Sequence, residues 1–154
     1  TIAGEGEDRK KIEQYIAMKQ LGGVVTLLGR TLTTNKILHE YDVFLLSSVK
    51  EGLPYVLLEA GMAMLPVVTT ITGGIPEIIR HEETGLLVQP KDADGLAHAL
   101  ERIAQDRHYA KQLGQKLHSH IVQNFSYSKM LVETAKVYGL IEGKVVARRP
   151  ESQK

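Results

Sequence analysis

Cysteine is absent from this chain of 154 residues. Its absence excludes disulfide frameworks, thiolate metal sites and cysteine nucleophiles. A chain without disulfides suits a reducing compartment, so we expect a cytoplasmic location.

Charge excess, aromatic residues and long apolar runs are also scarce. The net charge is +1, and 5% of the residues are aromatic whereas 43% are hydrophobic. This composition is typical of an ordinary α/β protein and not of a disordered or nucleic-acid-coating chain, so no nucleic-acid partner is expected. No apolar run approaches the roughly 20 residues that cross a bilayer, and no charged-then-apolar leader opens the chain.

Basic residues are concentrated toward the end of the chain. Residues 101–154 carry 10 basic and 5 acidic side chains, whereas residues 1–100 carry 9 and 13. The basic end allows peripheral contact with acidic lipid on the cytoplasmic face of a membrane, although a solvated helical face is the alternative.

Short β-branched runs alternate with helical patterns over the first 88 residues. The runs are apolar throughout, as is typical of parallel strands buried on both faces. We predict strands at 24–28, 43–46, 67–70 and 86–88, and helices at 7–21, 36–41, 55–64 and 76–79. The alternation predicts an α/β fold with a Rossmann-like, doubly wound parallel sheet. Three later apolar stripes predict C-terminal helices.

The two ends of the chain differ in pattern from its middle. Thr1, Ile2 and Ala3 have the composition of the last part of a buried strand, and a natural start rarely falls inside a core strand. We therefore expect a piece of a longer protein, with one N-terminally incomplete domain over 1–142. Residues 143–154 show no periodicity, so we expect a disordered tail. Met130, Val137 and Ile141 form an apolar stripe on the final helix, which predicts an exposed face and a mobile segment after Phe125.

The loop after the strand at 43–46 places Glu51 at the carboxyl edge of the predicted sheet, where open α/β sheets bind ligands. Pro54 suits the first position of the next helix, and the free amides that follow it form an anion site for a phosphate. Gly52 permits close approach of the backbone to a ligand. The alternative for Gly52 and Pro54 is an ordinary strand-to-helix loop.

Glu59 is the only ionisable side chain between Val56 and Val68. Because burial of an unpaired carboxylate is costly, we expect it to meet a hydroxyl-rich ligand such as a ribose diol, or a fixed basic or amide partner. The alternative is a side chain that reaches solvent at the edge of the helix.

A second loop of the same kind follows the strand at 67–70. Gly73 and Gly74 permit close backbone approach, and Pro76 opens a helix whose amides face the same sheet edge. Two such helix starts side by side predict a site for a diphosphate. Glu77 is explained as a residue that compensates the helix dipole, so it receives no catalytic role.

Other kinds of site are not favoured by the pattern. Asp94 fits a helix N-cap better than one half of a two-aspartate metal clamp. His118 and His120 point away from each other on one helix, so no zinc site is predicted. Residues 4–9 lack the third glycine of a dinucleotide fingerprint, which argues against nicotinamide binding.

A series of short segments carries a resemblance to a known family. In order they are Ile2-Ala3-Gly4-Glu5-Gly6, Leu27-Leu28-Gly29-Arg30, Tyr41-Asp42-Val43-Phe44-Leu45-Leu46-Ser47, Glu51 and Glu59 with seven residues between them, Leu65-Pro66-Val67-Val68, Gly73-Gly74-Ile75-Pro76-Glu77, Thr84-Gly85-Leu86-Leu87-Val88 and Phe125-Ser126. Together, from Ile2 to Tyr138, they resemble the C-terminal domain of retaining glycosyltransferases with the GT-B fold, in family four, the glycosyl transferases group 1. Each segment alone has low specificity, whereas their order is highly specific.

The resemblance implies roles for the residues of this edge. Glu51 would hold the donor sugar as the catalytic residue, Glu59 would hold the nucleotide ribose, and the turn that contains Arg30 would border the base. The amides that would face the phosphates are those of Leu53, Tyr55 and Val56. Retention at the anomeric carbon is implied, with no divalent metal and no other cofactor.

Two positions depart from the family pattern. Gly52-Leu53-Pro54 stands where the family usually has Gly-Phe-Gly, and Pro54 has no amide to donate to a phosphate. Met64 stands where glycine is common. The family's diphosphate-clamping Arg and Lys precede the matched segments, so we expect this chain alone to bind weakly and to be inactive.

The sequence therefore predicts a nucleotide-sugar-binding domain that serves retaining transfer of a hexosyl group. Its partners would be the nucleoside diphosphate sugar, an N-terminal acceptor-binding domain and a glycan or lipid-linked acceptor. The alternative is a non-catalytic nucleotide-binding or interaction module derived from one half of such an enzyme.

Overall fold

A computed structural model describes residues 1–31 and 34–140 of the chain. These residues form two compact units that divide between Ile37 and Leu38. The single domain over 1–142 stays a prediction. The predicted tail at 143–154 and Ile141 of the predicted apolar stripe lie outside the described residues.

The first unit contains a two-stranded parallel sheet and two helices. Its elements are β1 (Ile2–Ala3), α1 (Arg9–Met18), β2 (Leu27–Gly29) and α2 (Thr34–Ile37). The helix expected over 7–21 is shorter at both ends, and the strand expected at 24–28 begins three residues later. The strand expected at the start of the chain is present at Ile2–Ala3, but the expectation that it is buried is wrong, because Ile2 is 44% exposed and α1 has no buried residue that could cover it.

The second unit contains a three-stranded parallel sheet with helices on both faces. After a 3₁₀ helix at Leu38–Glu40, its elements are β3 (Phe44–Leu46), α3 (Tyr55–Met62), β4 (Val67–Thr70), α4 (Ile75–Ile78), β5 (Leu86–Val88), α5 (Ala93–Gln105), α6 (Arg107–Asn124) and α7 (Tyr127–Val137). The strand order is β3-β4-β5, so β4 lies in the centre. The predicted bounds of β4 and β5 are confirmed.

Strand β4 separates two apolar clusters. Successive side chains of a strand face opposite sides of the sheet, so Val67 lies in a cluster with residues of α3, α4 and α6, and Val68 in a cluster with residues of α5 and α6. All four residues of β4 are buried. Burial on both faces does not extend to β3, where Leu45 is 42% exposed, because α5 packs against β4 and β5 instead.

Helices α3 and α6 approach each other closely at two glycines. A Cβ atom on Gly61 would lie 2.2 Å from the side chain of Ile121, and one on Gly114 would lie 2.0 Å from the carbonyl oxygen of Met64. Met64 itself has a φ of 57°, a left-handed backbone that explains why glycine suits this position in the family that the sequence resembles. Helix α3 therefore ends at Met62, two residues before the predicted end.

Helix α5 begins with a side-chain cap. The cap of α5 is Asp92, which accepts a 2.8 Å hydrogen bond from the amide of Gly95, so the assignment of the cap to Asp94 was wrong by two residues.

No residue of α7 is buried, and Val137 is 85% exposed. Within 1–31 and 34–140, no helix combines the length and the apolarity needed to span a bilayer.

Candidate functional site

Glu51 lies in the loop that follows β3, at the carboxyl edge of the sheet. Its side chain is half-buried, and its Oε1 atom accepts a 2.6 Å hydrogen bond from the hydroxyl of Ser48. No hydrogen bond from the described residues reaches Oε2. One carboxylate oxygen is therefore held by the protein, and the other remains open to a ligand.

The end of β4 and the loop that follows it hold the Glu51 loop by three hydrogen bonds, each to a backbone carbonyl. The bonds run from the Thr70 hydroxyl to the Ser48 carbonyl, from the Thr72 hydroxyl to the Val49 carbonyl at 3.3 Å, and from the Gly74 amide to the Gly52 carbonyl at 2.7 Å. Adjacent parallel strands thus bring the two predicted loops together.

The two glycines of the second loop permit this contact. Gly73 has a φ of +53°, and a Cβ atom there would lie 1.8 Å from the carbonyl oxygen of Glu51. A Cβ atom on Gly74 would lie 2.7 Å from the carbonyl oxygen of Gly52. The close backbone approach that the sequence predicts is therefore made, in this structure, to the Glu51 loop. A ligand contact by Gly73 and Gly74 stays a prediction.

The start of α3 presents free amides at the same edge. Pro54 has extended backbone angles and is the N-cap rather than the first helical residue, so the expected placement of this proline is off by one position. The amides of Leu53, Tyr55 and Val56 donate to no acceptor in the described part of the chain. With the positive end of the helix dipole, unpaired amides at a helix start favour an anion.

Glu59 lies in the second turn of α3 and is half-buried. Over residues 1–31 and 34–140 its side chain has neither a hydrogen bond nor an ion pair, so the basic or amide partner that the sequence allowed is not found there. A half-buried carboxylate with free lone pairs is suited to accept hydrogen bonds from a ligand.

Arg30 belongs to the first unit, whereas the other predicted site residues belong to the second. It is exposed and follows directly after β2. Its role beside a base stays a prediction.

A groove of about 520 Å³ lies elsewhere on the second unit, between the turn that precedes β5 and helix α6. None of the predicted site residues lines it. Its lining comprises Arg80, Glu83, Thr84, Gln112, Gln115, Lys116, Ser119, His120 and Gln123. Cavity shape alone would therefore point away from the predicted residues. The amides and the carboxylate that lack partners in the described part of the chain indicate the site instead, since polar groups without a partner favour a ligand that supplies one.

The sequence did not single out Ser48, Thr70 and Thr72. The signal for them was present, since hydroxyl residues stand at alternate positions at the end of β4 and a serine stands three residues before Glu51. Their meaning depends on the pairing of β3 with β4, which brings Leu46 opposite Thr69.

Comparison with known proteins gives the same family as the sequence motifs. Residues 1–120 match the model of the family described as glycosyl transferases group 1. A glycosyltransferase of Methanocaldococcus jannaschii is 32% identical over 139 residues, which is 89% of this chain and 36% of that protein. The chain therefore spans about a third of the length of this curated relative.

Solved structures share the fold. Sucrose-phosphate synthase from Thermosynechococcus elongatus superposes with a TM-score of 0.79 at 29% identity, over 88% of this chain and 34% of that one. A TarM variant from S. aureus, in complex with fondaparinux, α-GlcNAc-glycerol and UDP, superposes with a TM-score of 0.81 at 25% identity, over 89% of this chain and 28% of that one. The predicted Rossmann-like fold of parallel sheets flanked by helices is confirmed.

Proposed function

We propose that this chain, which belongs to the family of glycosyl transferases group 1, is the donor-binding domain of a retaining glycosyltransferase. The donor would be a nucleoside diphosphate sugar, and the group transferred a hexosyl unit. The presence of UDP in the TarM complex supports a nucleotide as a ligand of this chain.

The observation that carries the proposal is the set of unpaired polar groups at one edge of the sheet. Within the described part of the chain, three amides at the start of α3 and one oxygen of the nearby Glu51 carboxylate have no hydrogen-bond partner. A diphosphate is suited to this position for two reasons. The free amides can donate hydrogen bonds to its oxygens, and the positive end of the helix dipole stabilises its negative charge. The phosphates would therefore lie at this helix start, and the family resemblance implies no divalent metal.

Two carboxylates would bind the remaining parts of the donor, the ribose and the transferred sugar. Glu59 would accept hydrogen bonds from the ribose diol, because neither of its carboxylate oxygens has a partner among the residues that the structure describes. Glu51 would hold the hydroxyls of the transferred sugar through its open oxygen and would be the catalytic residue. Arg30 would border the base, and Gly52, Gly73 and Gly74 would lie at the backbone surface that faces the phosphates.

The whole enzyme would need more than this chain. Since the chain spans about a third of its relative, we propose that a second, acceptor-binding domain completes the site and binds a glycan or lipid-linked acceptor. Stabilisation of the charge on the leaving diphosphate supplies much of the rate enhancement in such a transfer. The Arg and Lys that the family resemblance implies for this task precede the matched segments. The chain alone would then bind donor weakly and transfer nothing.

The test compares two carboxylate variants in the complete enzyme. The ligands are UDP, GDP and ADP, together with UDP-glucose, UDP-N-acetylglucosamine, GDP-mannose and ADP-glucose. Glu59→Ala should raise the calorimetric Kd of the nucleoside diphosphate roughly ten- to a hundred-fold, because hydrogen bonds to a charged group contribute roughly 1.5–3 kcal/mol. Glu51→Gln should lower kcat for donor hydrolysis while the Kd of the bare nucleoside diphosphate stays within about twofold of native.

Glu101→Ala, which removes an exposed carboxylate on α5, is the matched control and should leave both measurements unchanged. An unchanged Kd in Glu59→Ala would remove the ribose role. If Glu51→Gln weakened nucleotide binding and turnover equally, Glu51 would move from the sugar to the phosphates. Failure of the native enzyme to bind any of these ligands would overturn the proposed function.

A further inference from the structure

We propose that Ser48 is a positioning residue that holds the carboxylate of Glu51 toward the donor sugar, and that Thr70 anchors Ser48 to the core of the sheet. The inference rests on the proposed function, because it assigns a mechanical role within the same site. Its basis is a chain of two hydrogen bonds that leads from a fully buried side chain to the carboxylate of Glu51.

The first bond fixes the Glu51 side chain. The Ser48 hydroxyl donates to Oε1 at 2.6 Å, three residues away along the same loop. A hydroxyl that donates to a carboxylate forms a short, charge-assisted bond, stronger than one between neutral groups. Because Oε1 is engaged, the orientation of Oε2 is set by the protein and not by solvent.

The second bond fixes the backbone of Ser48. The Thr70 hydroxyl donates to the Ser48 carbonyl, and Thr70 is fully buried at the end of the central strand β4. Thr72 and Gly74 hold the next part of the loop through the carbonyls of Val49 and Gly52. The Glu51 loop is thus attached at three points to the end of a buried strand and the loop that continues it.

Such an arrangement matters because a free glutamate side chain has several rotatable bonds. Ordering that side chain at the moment of binding opposes binding, and a group that is ordered beforehand avoids the cost. The cost of ordering one side chain that has several rotatable bonds corresponds to about a threefold to tenfold change in an equilibrium constant. We expect a loss of that size in steps that use the sugar, with no loss in binding of the nucleotide.

The experiment uses donor hydrolysis by the complete enzyme, in which water takes the place of the acceptor and no acceptor needs to be known. The donor is whichever of UDP-glucose, UDP-N-acetylglucosamine, GDP-mannose and ADP-glucose the native enzyme hydrolyses fastest. Ser48→Ala should lower kcat about threefold to tenfold, whereas the Ki of the matching nucleoside diphosphate should stay within about twofold of native. Ser48→Thr keeps the hydroxyl and should restore most of the lost kcat.

Two further variants separate positioning from general damage. The double variant Ser48→Ala, Glu51→Gln should have a kcat no lower than that of Glu51→Gln alone. If Ser48 acts through Glu51, the effects of the two substitutions on kcat are not additive. Ser47→Ala removes the exposed neighbouring hydroxyl, which has no hydrogen bond in the described part of the chain, and should match native kcat. Thr70→Val should lower kcat in the same direction as Ser48→Ala.

The outcomes are distinguishable. A native kcat in Ser48→Ala, or an additive loss in the double variant, would overturn the positioning role while leaving the proposed function intact. A rise in the nucleoside diphosphate Ki equal to the fall in kcat would show general damage to the site and would also overturn it. Absence of donor hydrolysis and donor binding in the native enzyme would overturn the proposed function and this inference with it.

Discussion

Two adjacent threonines at the end of β4 should respond oppositely to the same substitution. Thr69 and Thr70 are both fully buried, and as neighbours in a strand they face opposite sides of the sheet. The Thr70 hydroxyl donates to the Ser48 carbonyl, whereas the Thr69 hydroxyl has no partner in the described part of the chain. Valine replaces the hydroxyl by a methyl group of similar size at either position.

The magnitudes follow from the two hydrogen-bond states. A buried, unpaired polar group costs about 1–3 kcal/mol, so Thr69→Val should raise the free energy of unfolding by about 1 kcal/mol. Thr70→Val removes a hydrogen bond and leaves the Ser48 carbonyl unpaired, so it should lower the free energy of unfolding by about 1–3 kcal/mol. The two variants should therefore differ by about 2 kcal/mol or more.

Urea unfolding of this chain, followed by circular dichroism, would measure both variants against native. The slope m should stay constant, so the whole effect appears in the midpoint. Thermal midpoints should move by roughly 2–4 °C for each kcal/mol in a chain of this size. If Thr69→Val destabilised the chain as much as Thr70→Val, the Thr69 hydroxyl would have a partner in solution and the reasoning would fail.

Three further outcomes are expected. Gly114→Ala should lower the free energy of unfolding by about 1–3 kcal/mol, because its Cβ would overlap a backbone oxygen, whereas Gly22→Ala, with open space around it, should change stability little. The hydrogen bond from Arg102, and then its charge, lower the pKa of Glu82 in the folded chain. The stabilisation is therefore present above the ordinary carboxyl pKa and is lost as the pH falls through the lowered pKa of the folded state. Arg102→Gln should flatten the dependence of the free energy of unfolding on pH in that acid range. Hydrogen exchange should be fast in α7, which buries no residue, and slow in α6; strong protection throughout α7 in a monomer would show that it packs within this chain.

The sequence predicted the fold correctly where the residues of an apolar run are also buried in the structure. Strands β4 and β5 have the predicted bounds, because β-branched and apolar residues in short runs have few other stable arrangements in a buried sheet. The order of strands and helices was likewise predicted correctly. Strand β3 shows the limit of the same reasoning, because Leu45 is apolar yet exposed where no helix covers it.

Element ends depended on backbone geometry that composition does not specify. Pro54 is compatible with both the N-cap and the first helical position, and the structure selects the N-cap. Asp92 and Asp94 are both suitable caps, and the position of the chain after β5 decides for Asp92. The free-energy difference between neighbouring cap positions is smaller than the contribution of tertiary contacts. A rule based on local sequence therefore places a helix end only to within one or two residues.

The sequence alone indicated the family, through the resemblance of its ordered segments, and the family model confirms it. The sequence also predicted the parallel α/β fold and the placement of Glu51 and the paired glycines at one sheet edge, because these follow from residue types at fixed spacing. The tertiary structure alone decided what holds Glu51. Thr70 and Ser48 lie 22 residues apart in the chain, and their hydrogen bond exists because β3 and β4 pair in one register. A one-residue change of that register would turn every side chain of a strand to the other face, so no local pattern could have specified the bond.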